Sequence, residues 1–509
     1  MQNLIDKAFS MPTKSYWIGT TPKTDYPSLG DNIKTDILIV GGGITGLTNA
    51  IILQKEGFDV VVIDSYRIAL STSGHTTAKI TSQHDLKYSV LEKKLGKDGA
   101  RKYGEINQKA VKLIELLVED NNIDCDFERQ NNYVYTMEEK HIETLEREAS
   151  TAQSLGLPVE YTTALELPFQ VKGAVCFKNQ AQFHPRKYLL ELASLFAQRG
   201  GHIYENTTAI DIHEDRECRT TTRDGFHILS DKVIIASHFP FYDGGGLYST
   251  RMYAERSYSI AVKADIKVSS GMYISYEKPT RSIRTQPFND GDQLLIIGGE
   301  HHKTGQDDNE LEHYKKLINY AEDSFKATEV LYRWSAQDYT AMNEIPFIGH
   351  ITGGKPNIFI AAAYQKWGMT TSTVSAMIIK DILTKGKSEA EEIFAPSRVS
   401  TMESAKNFVK ENLNVAGELI GGKIKKLPDN ISLELGEGKP LTFEGKKAGA
   451  YRDIEGNLFV VDTTCKHLGC EVRWNSAEKS WDCPCHASRY SFDGTVLEGP
   501  ALRPLDRLL

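Results

Sequence analysis

Thr35-Asp36-Ile37-Leu38-Ile39-Val40-Gly41-Gly42-Gly43-Ile44-Thr45-Gly46 reads as a short apolar strand running directly into a glycine turn. Leu47 to Gly57 follows with helix-compatible spacing, and a second apolar run, Val60-Val61-Val62-Ile63, ends on Asp64. Strand, turn, helix and strand make one βαβ unit. Inside it, Gly41-x-Gly43-x-x-Gly46 has the spacing of a dinucleotide cradle. Gly41 lets the chain turn sharply, Gly43 lets backbone approach a pyrophosphate, and Gly46 lets helix and strand pack closely. The helix start offers free N–H groups and a partial positive charge to phosphates. Asp64, 18 residues after Gly46, is placed to accept hydrogen bonds from ribose hydroxyls.

Outward from this unit the chain divides into four. Residues 1–34 read as an irregular, polar N-terminal arm. Helical spacing over 85–120, 139–155, 309–325 and 369–384 alternates with strand-like runs near 174–178, 203–212, 226–237, 257–266, 293–299 and 358–363, and the chain after 325 reads as irregular. These fill a first domain over 35–390. A linker-like mix, with one short connecting helix at 404–413, covers 391–426. From 427 to 509 short strands and turns replace the helical pattern. The fold class expected is an α/β, Rossmann-like domain with an interleaved mixed-sheet subdomain, plus a small all-β domain.

The 509 residues exceed one typical domain. With 40% apolar and 25% charged residues the composition is that of a soluble globular chain. A net charge of −8 with both signs interspersed argues against nucleic-acid binding. No apolar run approaches the roughly 18 residues of a membrane span, and the first residues lack a signal-peptide layout, so a cytoplasmic protein is expected. Of seven cysteines, Cys125, Cys176 and Cys218 are scattered, as buried structural cysteines are. The other four crowd the C-terminus, which points to metal or redox chemistry.

Beyond the glycine cradle, three segments carry a family likeness. They are Ser71 to Lys79, Val233 to His238, and the group Ile345-Pro346-Phe347-Ile348-Gly349, Asn357 to Ala361 and Trp367-Gly368-Met369-Thr370. Together they resemble the FAD-dependent oxidoreductases of the D-amino-acid oxidase type. The resemblance implies FAD as cofactor, with Thr76, Thr77, Ala78 and Lys79 running past the flavin. It also implies that the helix starting at Gly368, Met369 and Thr370 faces the flavin pyrimidine, where its positive end would stabilise a reduced, anionic ring. Ile296-Ile297-Gly298-Gly299-Glu300 lacks the third glycine of a second nucleotide site, which favours reduction by an organic substrate over NAD(P)H. The run Ser71-Thr72-Ser73-Gly74-His75, followed by small residues, is loosely similar to the loop where dimethylglycine-type dehydrogenases attach flavin to histidine.

At the C-terminus, Cys465-Lys466-His467-Leu468-Gly469-Cys470 and Cys483-Pro484-Cys485-His486-Ala487-Ser488 form two boxes 12 residues apart. Two thiolates and two imidazoles suit either a zinc site or an iron–sulfur cluster. The extra pair, Cys470 and Cys485, one per box, separates the two: the boxes resemble the Rieske pattern CxHLGC…CPCHxS. The resemblance implies a [2Fe–2S] cluster held by Cys465, His467, Cys483 and His486, and a disulfide between Cys470 and Cys485. It also implies hydrogen bonds from Ser488 and Tyr490 to cluster sulfurs, which would stabilise the reduced state. A potential in the upper half of roughly −150 to +300 mV follows.

Oxidases of this family hold a substrate carboxylate with an arginine. Arg333, in Arg333-x-x-x-x-Asp338, resembles that residue, with Arg281 and Arg284 as alternatives. Glu300, His301 and His302 form a polar cluster that would line the pocket. The whole chain resembles a YhfW-like bacterial family joining an amine- or amino-acid-oxidase-like flavodomain to a Rieske domain. The function expected is a dehydrogenase of an amino acid or amine that passes electrons from FAD to the cluster and on to an external one-electron acceptor. The alternatives are a reductase or monooxygenase fed through the cluster, and a redox carrier or sensor without turnover. No Asp-x-x-His-x₄-His run supports a Rieske oxygenase.

Overall fold

The computed structural model describes residues 2–509 apart from 269, 290, 308, 399–401, 425, 426 and 429–431. The glycine turn lies where the sequence puts it, between the strand Ile33–Val40 and the helix Ile44–Lys55, followed by the strand Val60–Ile63. That second strand is buried on every residue, as a parallel strand covered on both faces should be. It belongs to an eight-stranded sheet in which 33–40 pairs in parallel with both 60–63 and His227–Ile235. The strand Ile358–Ala362 joins 227–235 in parallel, and Phe347–His350 closes that edge in antiparallel sense. This is the Rossmann-like half.

The chain leaves this sheet after Ile63 and returns at His202–Tyr204. The excursion supplies strands to a second, nine-stranded mixed sheet. Its order begins Ala327–Ala341, Met252–Ala264, Asp292–Lys303, Arg281–Phe288 and Met272–Ser275. Interleaving of the two halves is therefore a consequence of connectivity: the two long segments between strands of the first sheet, 64–201 and 236–346, donate to the second. The helix Tyr88–Asp120 bends at Gly96, whose φ of +71° is non-helical. Three- and four-stranded antiparallel sheets make up the C-terminal all-β domain, with its own core of Cys465, Val472, Trp481, Tyr490 and neighbours.

Three expectations are corrected. The N-terminal arm is ordered: helices Gln2–Ser10 and Tyr16–Gly19 carry Trp17 into full burial, where its Nε1 donates to the Thr76 carbonyl at 2.7 Å. The segment after 325 is the 15-residue strand Ala327–Ala341. The connecting helix runs Met402–Ile424, twice as long as expected, while residues 399–401, 425 and 426 of the expected linker fall outside the described residues. Among the described residues no helix is long and apolar enough to cross a membrane.

Candidate functional site

The glycine cradle is sterically committed. Gly41 has φ +119°, and a Cβ there would meet the Ala236 carbonyl at 2.4 Å. A Cβ on Gly46 would stand 1.8 Å from the Gly41 carbonyl oxygen, so only glycine closes this turn. Gly43 occupies the N-cap of the 44–55 helix with no side chain capping it. Asp64 takes the Gly42 N–H on one oxygen at 2.7 Å and the Tyr66 N–H on the other at 2.8 Å. Burial raises its carboxyl pKa, and both N–H contacts oppose that.

Gly41, Gly43 and Asp64 open onto one cavity of about 850 Å³. Gly46 stays behind, packed between helix and strand. Thr76, Thr77 and Lys79 reach the same cavity, whereas Ala78 turns into the core with φ +59°. The Lys79 ammonium contacts the Ser282 hydroxyl, and burial, helped by Arg284, drops its pKa to about 7. His75 also borders the cavity, with Nδ1 2.9 Å from the Ser71 carbonyl. At the opposite wall the helix Gly368–Lys385 presents Gly368 and Met369, again without a side-chain cap. Thr370 lies one step deeper, accepting the Thr81 N–H at 2.9 Å. Two uncapped helix starts and a glycine cradle aimed into one elongated cavity fit a dinucleotide with a second anionic end.

The arginine expectation fails. Arg333 lies on the opposite face of its strand from Asp338, because side chains alternate, and it does not reach the cavity. Its Nε donates to the Ala8 carbonyl at 3.1 Å, one terminal nitrogen to Thr13 Oγ1 at 2.9 Å and the other to the Met11 carbonyl at 3.0 Å. It therefore pins the N-terminal helix. Arg281 pairs with Glu300, and Arg284 donates to the carbonyls of Ala78 and Phe183. Of the Glu300, His301 and His302 cluster, only His301 borders the cavity. Glu300 faces Arg281 and His313, and His302 Nε2 sits 2.9 Å from the Tyr258 hydroxyl.

The C-terminal boxes converge. The His467 and His486 rings stand perpendicular with centroids 5.0 Å apart. The Nδ1 atom of each is buried without a hydrogen-bond partner, and burial holds both imidazoles to a pKa of about 4, the neutral, ligating form. Cys465 and Cys483 are free and buried. A hydrogen bond from Cys483 holds the Cys465 thiol down to about 6, while Cys483 itself is pushed up. Two adjacent thiols and two orphaned imidazole nitrogens fit a two-iron cluster. Cys470 and Cys485 form a disulfide. The Tyr490 hydroxyl is 3.2 Å from Cys465 Sγ, and Ser488 Oγ lies beside the same sulfur while accepting the Ala501 N–H at 3.0 Å.

These two centres share a wall, which sequence reasoning missed. Segment 496–502 of the all-β domain borders the same cavity as Gly41 and Gly368. The Tyr339 hydroxyl lies 3.2 Å from both the His486 and Gly499 carbonyls, and Gln337 donates to the Ala487 carbonyl at 3.0 Å. Phe239 and His238 pack on Tyr339. Glu255 and Asp338, opposite each other on neighbouring strands, also face the cavity. No local motif announces any of these residues, since each contact joins strands distant in the chain.

Comparison with known proteins agrees with this geometry. Residues 36–382 match the family model for FAD dependent oxidoreductase, and residues 426–508 match that for the Rieske [2Fe-2S] domain. A Rieske 2Fe-2S iron-sulfur protein of Bacillus subtilis (strain 168), YhfW, is 41% identical over 97% of both chains. Gamma-glutamylputrescine oxidoreductase of Escherichia coli (strain K12) is 24% identical, covering 75% of this chain and 91% of its own. Among solved structures, glycine oxidase from Geobacillus kaustophilus superposes with a TM-score of 0.62 at 19% identity, over 72% of this chain and all of its own.

Proposed function

The chain belongs to the FAD-dependent oxidoreductase family, related to the amino-acid oxidases that act on C–N bonds, and ends in a Rieske [2Fe-2S] domain; on that premise we propose that it is a dehydrogenase of an amine or amino acid whose electrons leave singly, through the C-terminal domain, to an external one-electron acceptor. FAD, when bound, accepts a hydride from carbon, and the cluster relays one electron at a time. The carrying observation is the shared wall: the His467 imidazole meets the Phe239 ring of the flavin-binding part, the His486 carbonyl meets the Tyr339 hydroxyl, and 496–502 borders the cavity itself.

The residues of this chain have separable tasks. Gly41, Gly43 and the 44–55 helix start would receive the pyrophosphate, and Asp64 the ribose. The helix beginning at Gly368 would face the flavin. Cys465, Cys483, His467 and His486 would hold the cluster, with Ser488 and Tyr490 hydrogen-bonding its sulfur. Tyr339 and Gln337 tie the 483–488 loop and Gly499 to the cavity wall, which would hold the two centres at one separation. The Cys470–Cys485 disulfide ties the two cluster loops to each other.

Anaerobic rapid mixing with a panel of amines and amino acids tests the reading. Loss of flavin absorbance followed by cluster reduction supports it. Cluster reduction that precedes flavin reduction would favour entry of electrons through the all-β domain. Silence towards every C–N compound would favour a carrier.

A further inference from the structure

The nine-stranded sheet turns one face to the cavity, and where strands 252–264 and 327–341 pair, the charges on that face have one sign; Lys79, at the far edge of the sheet, contacts the Ser282 hydroxyl. Strand 252–264 presents Tyr253, Glu255 and Ser257, and strand 327–341 presents Asp338 and Thr340. Glu255 and Asp338 are direct cross-strand partners, so their Cβ atoms stand about 5 Å apart. Like charges placed so are destabilising unless something compensates them. Among the described residues neither carboxylate makes a hydrogen bond or an ion pair, and the free surface of each faces the cavity. Glu498 adds a third acid from the all-β domain: one oxygen takes the Arg489 guanidinium at 3.0 Å and the other is buried without a partner.

The groups facing Asp338 are Glu255, Glu498 and the Lys366 ammonium. Lys366 is exposed at the cavity rim, and His301, on the neighbouring strand, is kept neutral by burial. Among the described residues no guanidinium stands against Glu255 or Asp338. Arg333, Arg281 and Arg284 are each committed elsewhere. The arginine that does border the cavity, Arg223, donates to the Leu502 carbonyl. A carboxylate brought to this wall would meet Glu255 and Asp338 side by side, offset by the exposed ammoniums of Lys366 and Lys278. A cation would supply the missing counter-charge to both.

We infer that the cavity selects a substrate that enters as an alkylammonium cation without an α-carboxylate, held by Glu255 and Asp338. One of these two carboxylates takes the ammonium proton before the α-carbon of the neutral amine gives its hydride to the flavin. This rests on the dehydrogenase reading and narrows its substrate class to amines.

The test uses the flavin-loaded full chain. Visible-spectrum titration measures binding, and anaerobic mixing measures flavin reduction, for n-butylamine, N-methylbutylamine and 1,4-diaminobutane. Ornithine, the same diamine carrying an α-carboxylate, and n-butanol serve as contrasts. The expected result is binding and reduction by amines, with ornithine at least 100-fold poorer in kcat/KM and butanol inert. Asp338→Asn and Glu255→Gln should each weaken amine binding at least 10-fold at unchanged flavin content, with Asp338→Glu recovering part of it. Ornithine matching or exceeding the diamine in the unsubstituted protein would overturn the inference while leaving the dehydrogenase reading intact, and requires no variant. Amines that bind in an Asp338-dependent way but never reduce the flavin would sustain the cation site and overturn the dehydrogenase. No amine binding, or binding indifferent to both substitutions, would overturn the inference.

Discussion

The ring of Phe239, in the flavin-binding part, stands edge-on to the ring of His467 in the all-β part, centroids 6.1 Å apart at 75°. Behind it, Tyr339 packs on Phe239 at 5.1 Å and reaches the His486 carbonyl. One aromatic pair thus touches both imidazole-bearing loops. Removing the Tyr339 hydroxyl deletes the one proton shared between the His486 and Gly499 carbonyls, a contact worth about 0.5–1.5 kcal/mol. Tyr339→Phe should leave flavin reduction by substrate unchanged while slowing the following cluster reduction several-fold. Two-wavelength stopped flow separates the steps; equal slowing of both would show that Tyr339 acts on substrate instead.

The Tyr490 hydroxyl, 3.2 Å from Cys465 Sγ, also accepts the Lys466 N–H at 3.0 Å, so its proton is free to point at sulfur. A hydrogen bond to a charged acceptor is worth about 1.5 kcal/mol or more, and about 1.4 kcal/mol corresponds to 59 mV for one electron. Tyr490→Phe should therefore lower the cluster potential by roughly 60 mV, read by redox titration. The unsubstituted protein should titrate in the upper half of the Rieske range, above roughly +75 mV.

Gly46→Ala tests the cradle. Its methyl would stand 1.8 Å from the Gly41 carbonyl oxygen, so the turn must open. The variant should purify without FAD yet keep the iron–sulfur spectrum, because the all-β domain has its own core.

Arg333→Ala distinguishes a pin from a substrate clamp. Three hydrogen bonds to the N-terminal segment, and stacking on Phe9 and Tyr314, would be lost. A stability loss of about 2–4 kcal/mol is expected from those contacts. KM for amines should not change; a KM raised 10-fold in folded protein would restore the clamp.

Local motifs were legible because their parts are adjacent in the chain: the glycine turn with Asp64, and the two boxes. What stayed hidden depended on pairing across the chain. Strand 327–341 is covered on both faces over much of its length, so it lacks the alternation by which a half-buried strand announces itself. Once it is a strand, alternation alone sends Arg333 and Asp338 to opposite faces. Trp17 was overlooked because its polar surroundings in sequence say nothing of His184 and Trp334, on which its ring packs.

Asp338 gives the substrate wall a pH signature. Burial, with Glu255 and Glu498 adding to it and Lys366 opposing, raises its carboxyl to about 7. The charged form that holds an alkylammonium therefore prevails only above that value, while an alkylamine, like a lysine side chain, stays protonated until about pH 10. For amine substrates kcat/KM should rise about tenfold per pH unit below pH 7 and level off above it. Lys79, also near 7, titrates in the same window, so Asp338→Asn decides between them. Loss of the rising limb assigns it to Asp338, and its persistence assigns it to Lys79. The stability sign runs the other way from activity. A folded pKa above the unfolded value of about 3.9 means the ionised Asp338 weighs against the fold, increasingly from pH 4 to 7. Asp338→Asn should consequently melt no lower than the unsubstituted protein at pH 8, even as amine binding is lost; a lower Tm there would mean that the carboxylate is structurally paired.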